Sequence, residues 1–376
     1  MLTPKARETD FPTLSSMTYL NTAAEGIPPA GVLKALEEYY HDKQMGMDGR
    51  ELHFKKWETA KREIAGFFGL LPEEVSICSC SSEAYNLAAG ALQLKEGDEV
   101  VINDLDFPAG ATPWLAPGCP ATVKVWRSRE GALRAADLIP LLGPKTRLVA
   151  VSLVSFYNGF KISLSELIPT VRRYSPALVS VDVTQALGRI PLELEGVDLI
   201  VSSTHKWILS SHGGGLVGVP SNNNNALTVH AGGWFNLKDP FGPDRFEKIE
   251  ANAGAAGFTV GMPNFPAVYA LVAALQYIRS VGVETIYQHA QPLVQVCLEK
   301  LKKLPINLLT PDRPECIAGI LAFEHENAER MHRRLHHHNV HIMSHAGRLR
   351  VAIHGYNTIG DIEFFLTELE KALKNN

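Results

Sequence analysis

Cysteine is scarce in this chain and odd in number, five in 376 residues, scattered without a framework. That excludes a disulfide scaffold and points to a reducing compartment. No apolar run approaches the roughly 20 residues that a membrane helix needs. Residues 1–10 lack the apolar core of a secretory signal, so a cytoplasmic protein with no membrane partner is expected. Charge of one sign is also lacking. The formal net charge is only −4, which gives no electrostatic reason to expect nucleic acid as a partner. There is no internal repeat. Metal-ligating patterns are weak as well. Cys78 and Cys80 form a C-x-C pair with no second pair at zinc spacing. The run His332, His336, His337, His338, His341 and His345 lies on a polar helix face and reads as solvated. No metal is expected.

What is present is ordinary globular material, 45% apolar and 20% charged, in a chain long enough for two domains. Seven short apolar runs read as buried strands, at 75–80, 100–103, 122–127, 147–153, 178–183, 198–203 and 215–219. The first five are separated by segments of crossover length, which predicts an α/β fold with a mainly parallel, helix-covered sheet. The last two are joined by a short, turn-rich segment, so one of them is expected to run antiparallel. After about residue 260 the character changes. A buried helix over 266–280 opens with proline, and a second helix follows over 284–303. Strand-like runs come at 317–323 and 348–353, with helices near 326–338 and 358–374. These read as a separate small α/β unit. The expected division is 16–258 for the large domain, with 1–15 and 259–376 forming the small one.

Ligands of an open α/β sheet gather at the carboxyl ends of its strands, and the informative residues fall there. Asp182 ends the fifth run, Ser203 to Lys206 follow the sixth, and Cys80-Ser81-Ser82-Glu83 follows the first and opens into a helix. A hydroxyl-rich turn at a helix N-terminus suits a phosphate. Taken singly, Ser81 or Ser82 is a helix cap, Asp182 a capping residue and Lys206 a surface lysine. Their occurrence together, in this order, fits one cofactor. Pyridoxal 5'-phosphate (PLP) is held by a lysine amine, and a carboxylate keeps its ring nitrogen protonated.

Around that core, Ser203-Thr204-His205-Lys206-Trp207 precedes Gly213-Gly214-Gly215, and Val181-Asp182-Val183-Thr184-Gln185-Ala186-Leu187-Gly188 lies upstream. Tyr19-Leu20-Asn21-Thr22-Ala23-Ala24, Phe156-Tyr157-Asn158-Gly159-Phe160 and Arg350-Val351-Ala352-Ile353-His354-Gly355-Tyr356-Asn357-Thr358 complete the set. Over nearly its whole length the chain resembles the class V aminotransferase family. This fold-type-I PLP group includes cysteine desulfurases, selenocysteine lyase, kynureninase and isopenicillin N epimerase-like enzymes. The resemblance implies a seven-stranded, mainly parallel sheet with helices on both faces, a small C-terminal α/β domain, and a homodimer with active sites at the interface. It implies that Lys206 forms the internal aldimine and moves the proton at the substrate Cα. Asp182 is implied to hold the pyridinium proton. Gln185 would reach the phenolic oxygen, with Asn158 close to the same edge, and Phe107 would stack on the ring. Ser82, Ser203 and His205 would hold the phosphate, with added contacts from Ser81. Arg350 would take the α-carboxylate as a bidentate fork, with Arg348 on the same strand face as runner-up. Asn21 and Ala23 would lie near the substrate.

The chain departs from these relatives in three places. Phe107 stands where desulfurases carry a histidine, so it can stack but cannot relay protons. Residues 339–348 contain no cysteine, where desulfurases carry their thiolate nucleophile; Cys316 reads as structural. Met262 replaces the threonine of a Gly-Thr-Pro motif that reaches the partner subunit's cofactor phosphate, leaving Thr259 as a candidate substitute. The function expected is that of a PLP-dependent, class V aminotransferase-like enzyme acting at Cα of an amino acid. C–S lyase or kynureninase-like β-elimination and isopenicillin N epimerase-like epimerisation are the alternatives. A persulfide-forming desulfurase ranks below them, and a PLP-binding module without turnover ranks last.

Overall fold

Seven strands build the central sheet: β1 Val75–Cys78, β2 Glu99–Asn103, β3 Thr122–Trp126, β4 Thr146–Ser152, β5 Leu178–Asp182, β6 Leu199–Ser203 and β7 Gly215–Gly218. The computed structural model describes residues 1–374. The strand order is β1-β7-β6-β5-β4-β2-β3. All pairings from β6 to β3 are parallel, and β7 runs antiparallel to both β6 and β1. The antiparallel strand foreseen from the short 204–214 connection is therefore β7.

Apolar residues on successive positions of the strands serve opposite faces, as a period of two demands. Val149 and Val151 of β4 join Val179, Val181 and Ile200 in one core, together with the helices Met47–Phe68, Leu164–Tyr174 and Phe265–Val281. Leu148 and Ala150 join Leu199, Val201 and Val217 in the other core, under the helices Ser81–Ala91 and Pro108–Leu115. With both faces covered, the middle strands read as continuous apolar runs.

The C-terminal region forms a second, antiparallel sheet of β8 Asn307–Leu308, β9 Ile320–Glu324, β10 Met343–His345 and β11 Arg348–Ala352, in the order β10-β11-β9-β8. The helices Val283–Leu301, Ala328–His337 and Ile359–Lys374 cover it. Short β8 and β10 carried too few residues to show a period in the sequence. The strand expected from 317 starts at Ile320 instead, because Pro314–Cys316 forms a 3-10 turn ahead of it. β10 and β11 are joined by Ala346 and Gly347, both at positive φ, 51° and 78°, as a two-residue hairpin turn requires. No single helix among the described residues is long and apolar enough to cross a membrane.

Candidate active site

Three strand ends deliver the central side chains. β5 and β6 are parallel neighbours with Asp182 opposite Val201, so Asp182 and the turn after Ser203 emerge side by side. That turn is tightly made. Leu209 N donates to the Lys206 carbonyl at 3.0 Å, Ser210 N donates to Thr204 O at 3.2 Å, and the Thr204 hydroxyl donates to Ser211 O at 2.7 Å. Leu209 sits at φ 60°, a left-handed conformation that costs a branched residue about 1 kcal/mol or more. From the N-terminal segment, Gly26 N donates to His205 O at 2.8 Å. A Cβ on Gly26 would run into the Lys206 carbonyl oxygen, so only glycine lets this segment clamp the turn.

The Lys206 amine is pushed down to about 8, chiefly because it is buried. The Asp182 and Glu25 charges push it back up, and the Arg350 charge pushes it down. Its Nζ lies 5.2 Å from the centre of the Phe107 ring. That ring is 45% exposed, so its free face is open to a ligand. Asp182 Oδ1 accepts from Thr184 N at 2.7 Å and Oδ2 accepts from the Tyr85 hydroxyl at 3.1 Å. Burial drives the neighbouring Asp106 up to about 7, with the Asp182 charge adding to the rise.

Ser203 Oγ donates to Ser81 Oγ at 2.9 Å, joining β6 to the start of the Ser81–Ala91 helix. The cap of that helix is Cys80, rather than the serine cap that Ser81 or Ser82 offered on its own, and no side chain caps it. Its first-turn N–H groups are therefore available to an anion. Ser82 is exposed at the same place. Gly215 of β7 packs directly behind. A Cβ there would strike the Cys80 carbonyl and come within 2.7 Å of Ser81 N. His205 is lowered to about 4, first by burial and then by the Lys206 and His212 charges. It is thus a neutral imidazole near pH 7, stacked on His212 with ring centres 4.0 Å apart.

Arg350 comes from β11, with Ala322 and Met343 as its cross-strand partners. It is 4% exposed and donates from Nη1 to Phe156 O at 2.9 Å, while its buried Nε has no partner. The buried Oδ1 of Asn21 also lacks one; Asn21 bridges to Ala352 at the end of β11. A lysine with a depressed pKa, an adjacent strand-end carboxylate, an uncapped helix start and a guanidinium with an orphaned donor are the groups that PLP and an amino acid require. The donor set fits.

Other expected site residues are committed elsewhere. Asn158 donates to Gly131 O at 2.7 Å and Leu309 O at 3.3 Å and accepts from Phe160 N at 3.1 Å. Its amide hydrogens are spent on holding loops, so it offers none to a cofactor edge. Gln185 Oε1 accepts from Trp207 Nε1 at 2.6 Å and Nε2 donates to the Ala23 carbonyl at 3.1 Å, leaving one amide hydrogen. Ala23 thus acts through its backbone, as an acceptor for Gln185. Thr259 is buried, donating to Ile77 O at 3.1 Å and paired with the Ser76 hydroxyl at 2.6 Å, so it does not stand in for the residue that Met262 replaces. Met262 is 40% exposed.

Tyr85, Glu25 and Gly26 were not foreseen, and His354 was visible only as part of a matching motif, without a role. His354 Nε2 donates to the Trp207 carbonyl at 2.7 Å, while Gly355 N donates to its Nδ1 at 2.7 Å. These bonds fix the tautomer and tie the β11 end to the lysine turn. The long-range pairing between residues 207 and 354 leaves no local sequence signal.

Concavities of about 830 and 890 Å³ lie elsewhere, around Lys161 and Cys316. Comparison with known proteins agrees with the fold. The family profile described as Aminotransferase class-V matches residues 18–365. The uncharacterized aminotransferase YcbU of Bacillus subtilis (strain 168) is 27% identical over 362 residues, covering 96% of this chain and 95% of that protein. The apo structure of a cysteine desulfurase from Thermococcus onnurineus NA1 superposes with a TM-score of 0.90 at 22% identity, covering 100% of this chain and 99% of that one. A C-DES variant with glycine covalently linked to its PLP cofactor gives 0.88 at 23% identity, covering 96% and 98%. At these identities the two structures speak for the fold.

Proposed function

The chain belongs to the class-V aminotransferase family and is a PLP-dependent enzyme, and from that premise we propose that it removes the Cα proton of an amino acid with Lys206 as the base. The observation that carries this reading is the Lys206 amine, buried between Asp182 and Arg350 and pushed down to about 8. An amine so placed can take a proton near neutral pH and give it back. Bound PLP supplies the electron sink for the charge that develops at Cα.

In this proposal Asp182, aligned by Thr184 N and the Tyr85 hydroxyl, sets a carboxylate against the ring nitrogen. Phe107 covers the ring face, and Gln185 offers its remaining amide hydrogen to the ring edge. Ser81, Ser82, Ser203 and the neutral His205 hold the phosphate at the uncapped helix start. Arg350 orients the α-carboxylate through its unpartnered Nε, with Asn21 beside it.

Persulfide transfer is disfavoured. Residues 343–352 close into a tight hairpin with no cysteine, so no thiol can be swung towards Cα from there. Cys316 is half-buried, with its thiol pushed up by burial. This leaves transamination, β-elimination or epimerisation. A panel of L- and D-amino acids separates them. Oxo acid with an amine-form cofactor and no ammonia marks transamination, pyruvate plus ammonia marks elimination, and loss of chirality alone marks epimerisation. If no substrate turns over, or Lys206→Ala retains turnover, the proposal fails.

A homodimer completes this reading. Phe107, Met262, Phe241 at 75% and Phe246 at 90% expose apolar surface near or downstream of the site, which a second copy would cover. Five free cysteines suit a reducing cytoplasm.

A further inference from the structure

Arg348 and Arg350 stand at alternate positions of β11 and so share one face. Both are 4% exposed. Arg350 donates to Phe156 O at 2.9 Å and Arg348 to the next carbonyl, Tyr157 O, at 2.7 Å. Among the described residues no carboxylate lies within 4.0 Å of either guanidinium. The nearest acid in register is Glu324, opposite Arg348; its charge favours the Arg348 cation, but its Oε2 accepts from Asn307 and it makes no ion pair with the guanidinium. Two guanidiniums side by side, each with a single backbone acceptor and with the Arg350 Nε buried and unpartnered, form an arrangement that an anion joining them would relieve. The Arg348 charge weakens the hold of Arg350 on its proton, adding to the larger effect of burial.

The surroundings make a path between them. Phe156 packs edge-on against Phe107, with ring centres 5.1 Å apart, and the Arg348 Cζ lies 5.4 Å from the Phe156 ring and 4.1 Å from the Tyr157 ring. The half-exposed Phe156 thus lies between the ring above Lys206 and the second guanidinium. A ligand held by Arg350 near Phe107 can extend its far end over Phe156 towards Arg348.

Resting on the proposed assignment of Arg350 to the α-carboxylate, we propose that Arg348 is a specificity-determining residue and that the substrate is an amino acid with an acidic side chain. The second anionic group supplies the direct ion pair that no carboxylate among the described residues makes with Arg348. Neutral amino acids leave Arg348 without that pair.

The test is calorimetric binding of succinate and glutarate against propionate and butyrate, with the PLP-loaded wild-type protein and its variants. The dicarboxylates are expected to bind about tenfold or more tightly than the monocarboxylates, the worth of one added charge-assisted contact. Arg348→Gln should weaken dicarboxylate binding at least about tenfold more than monocarboxylate binding. Arg348→Lys should recover part of that selectivity. Arg350→Gln should weaken both classes. Equal wild-type affinity for the two classes overturns the inference, and this readout needs no variant to fold. Equal loss of both classes in Arg348→Gln also overturns it, leaving Arg348 a structural clamp on Tyr157. If monocarboxylate binding still depends on Arg350 in either case, the Arg350 assignment survives. If Arg350→Gln changes neither class, that assignment falls and this inference falls with it.

Discussion

Lys206 loses its proton near pH 8 because its turn buries it, and the charges around it tune that value in opposite directions. The rate at which the PLP-free protein takes up PLP should therefore rise with pH and level off above about 8. Asp182→Asn removes a charge that raises the value, so the rising limb should move to lower pH. Arg350→Gln removes one that lowers it, so the limb should move to higher pH. Both shifts are read by stopped-flow absorbance at a series of pH values. Shifts of the same sign would show that the local field does not set the limb. Asp182→Ala should still take up PLP but lose turnover about 100-fold or more; unchanged turnover would remove Asp182 from its role.

A stability consequence follows at the same residue. The folded value, about 8, lies below the ordinary lysine value of 10.5. Between the two the unfolded chain holds the extra proton, so the PLP-free protein gains stability as pH rises through that window. Below about 8 both states are protonated and the burial penalty is fully present. The urea midpoint of wild type relative to Lys206→Met should accordingly rise from pH 7.5 to 10. A flat difference would mean that the amine is solvated when PLP is absent.

At the level of elements, the phosphate cradle depends on how closely β7 approaches the start of the Ser81–Ala91 helix. Gly215→Ala places a methyl group against backbone atoms of Cys80 and Ser81, and backbone cannot swing away as a side-chain end can. We expect about 1–3 kcal/mol of destabilisation and a PLP affinity lowered about tenfold or more, measured by denaturant titration and by PLP binding. Loss of stability without loss of PLP affinity would show that the helix start does not hold the phosphate. The antiparallel direction of β7 was legible in the short 204–214 connection. The helix cap was not, because serine, a good cap in isolation, is drawn instead to Ser203 across the sheet. Asn158 went the same way: its motif was visible, but Gly131 and Leu309, the carbonyls that claim its amide, lie far from it in sequence.

For the whole molecule, the proposed homodimer would cover the exposed Phe107, Phe241, Phe246 and Met262 side chains. Light scattering should give a mass about twice the 41.2 kDa of the chain, with a melting temperature that rises with protein concentration. A monomer with full turnover would overturn that expectation.

The sequence by itself determined the sheet and the strand-end positions of Asp182 and Lys206, because strands buried on both faces leave local, ordered signals; Arg350 was legible only through the family resemblance. Only the tertiary structure decided which of the remaining polar side chains face the ligand and which serve the scaffold. A hydrogen bond is spent on whichever partner folding brings near, and Gln185 with Trp207, Thr259 with Ile77 and His354 with the Trp207 carbonyl are all contacts between distant segments. The same holds for Arg348 and Arg350. Their spacing puts them on one face, but only the packed structure shows that both residues are buried and that no carboxylate among the described residues forms an ion pair with either.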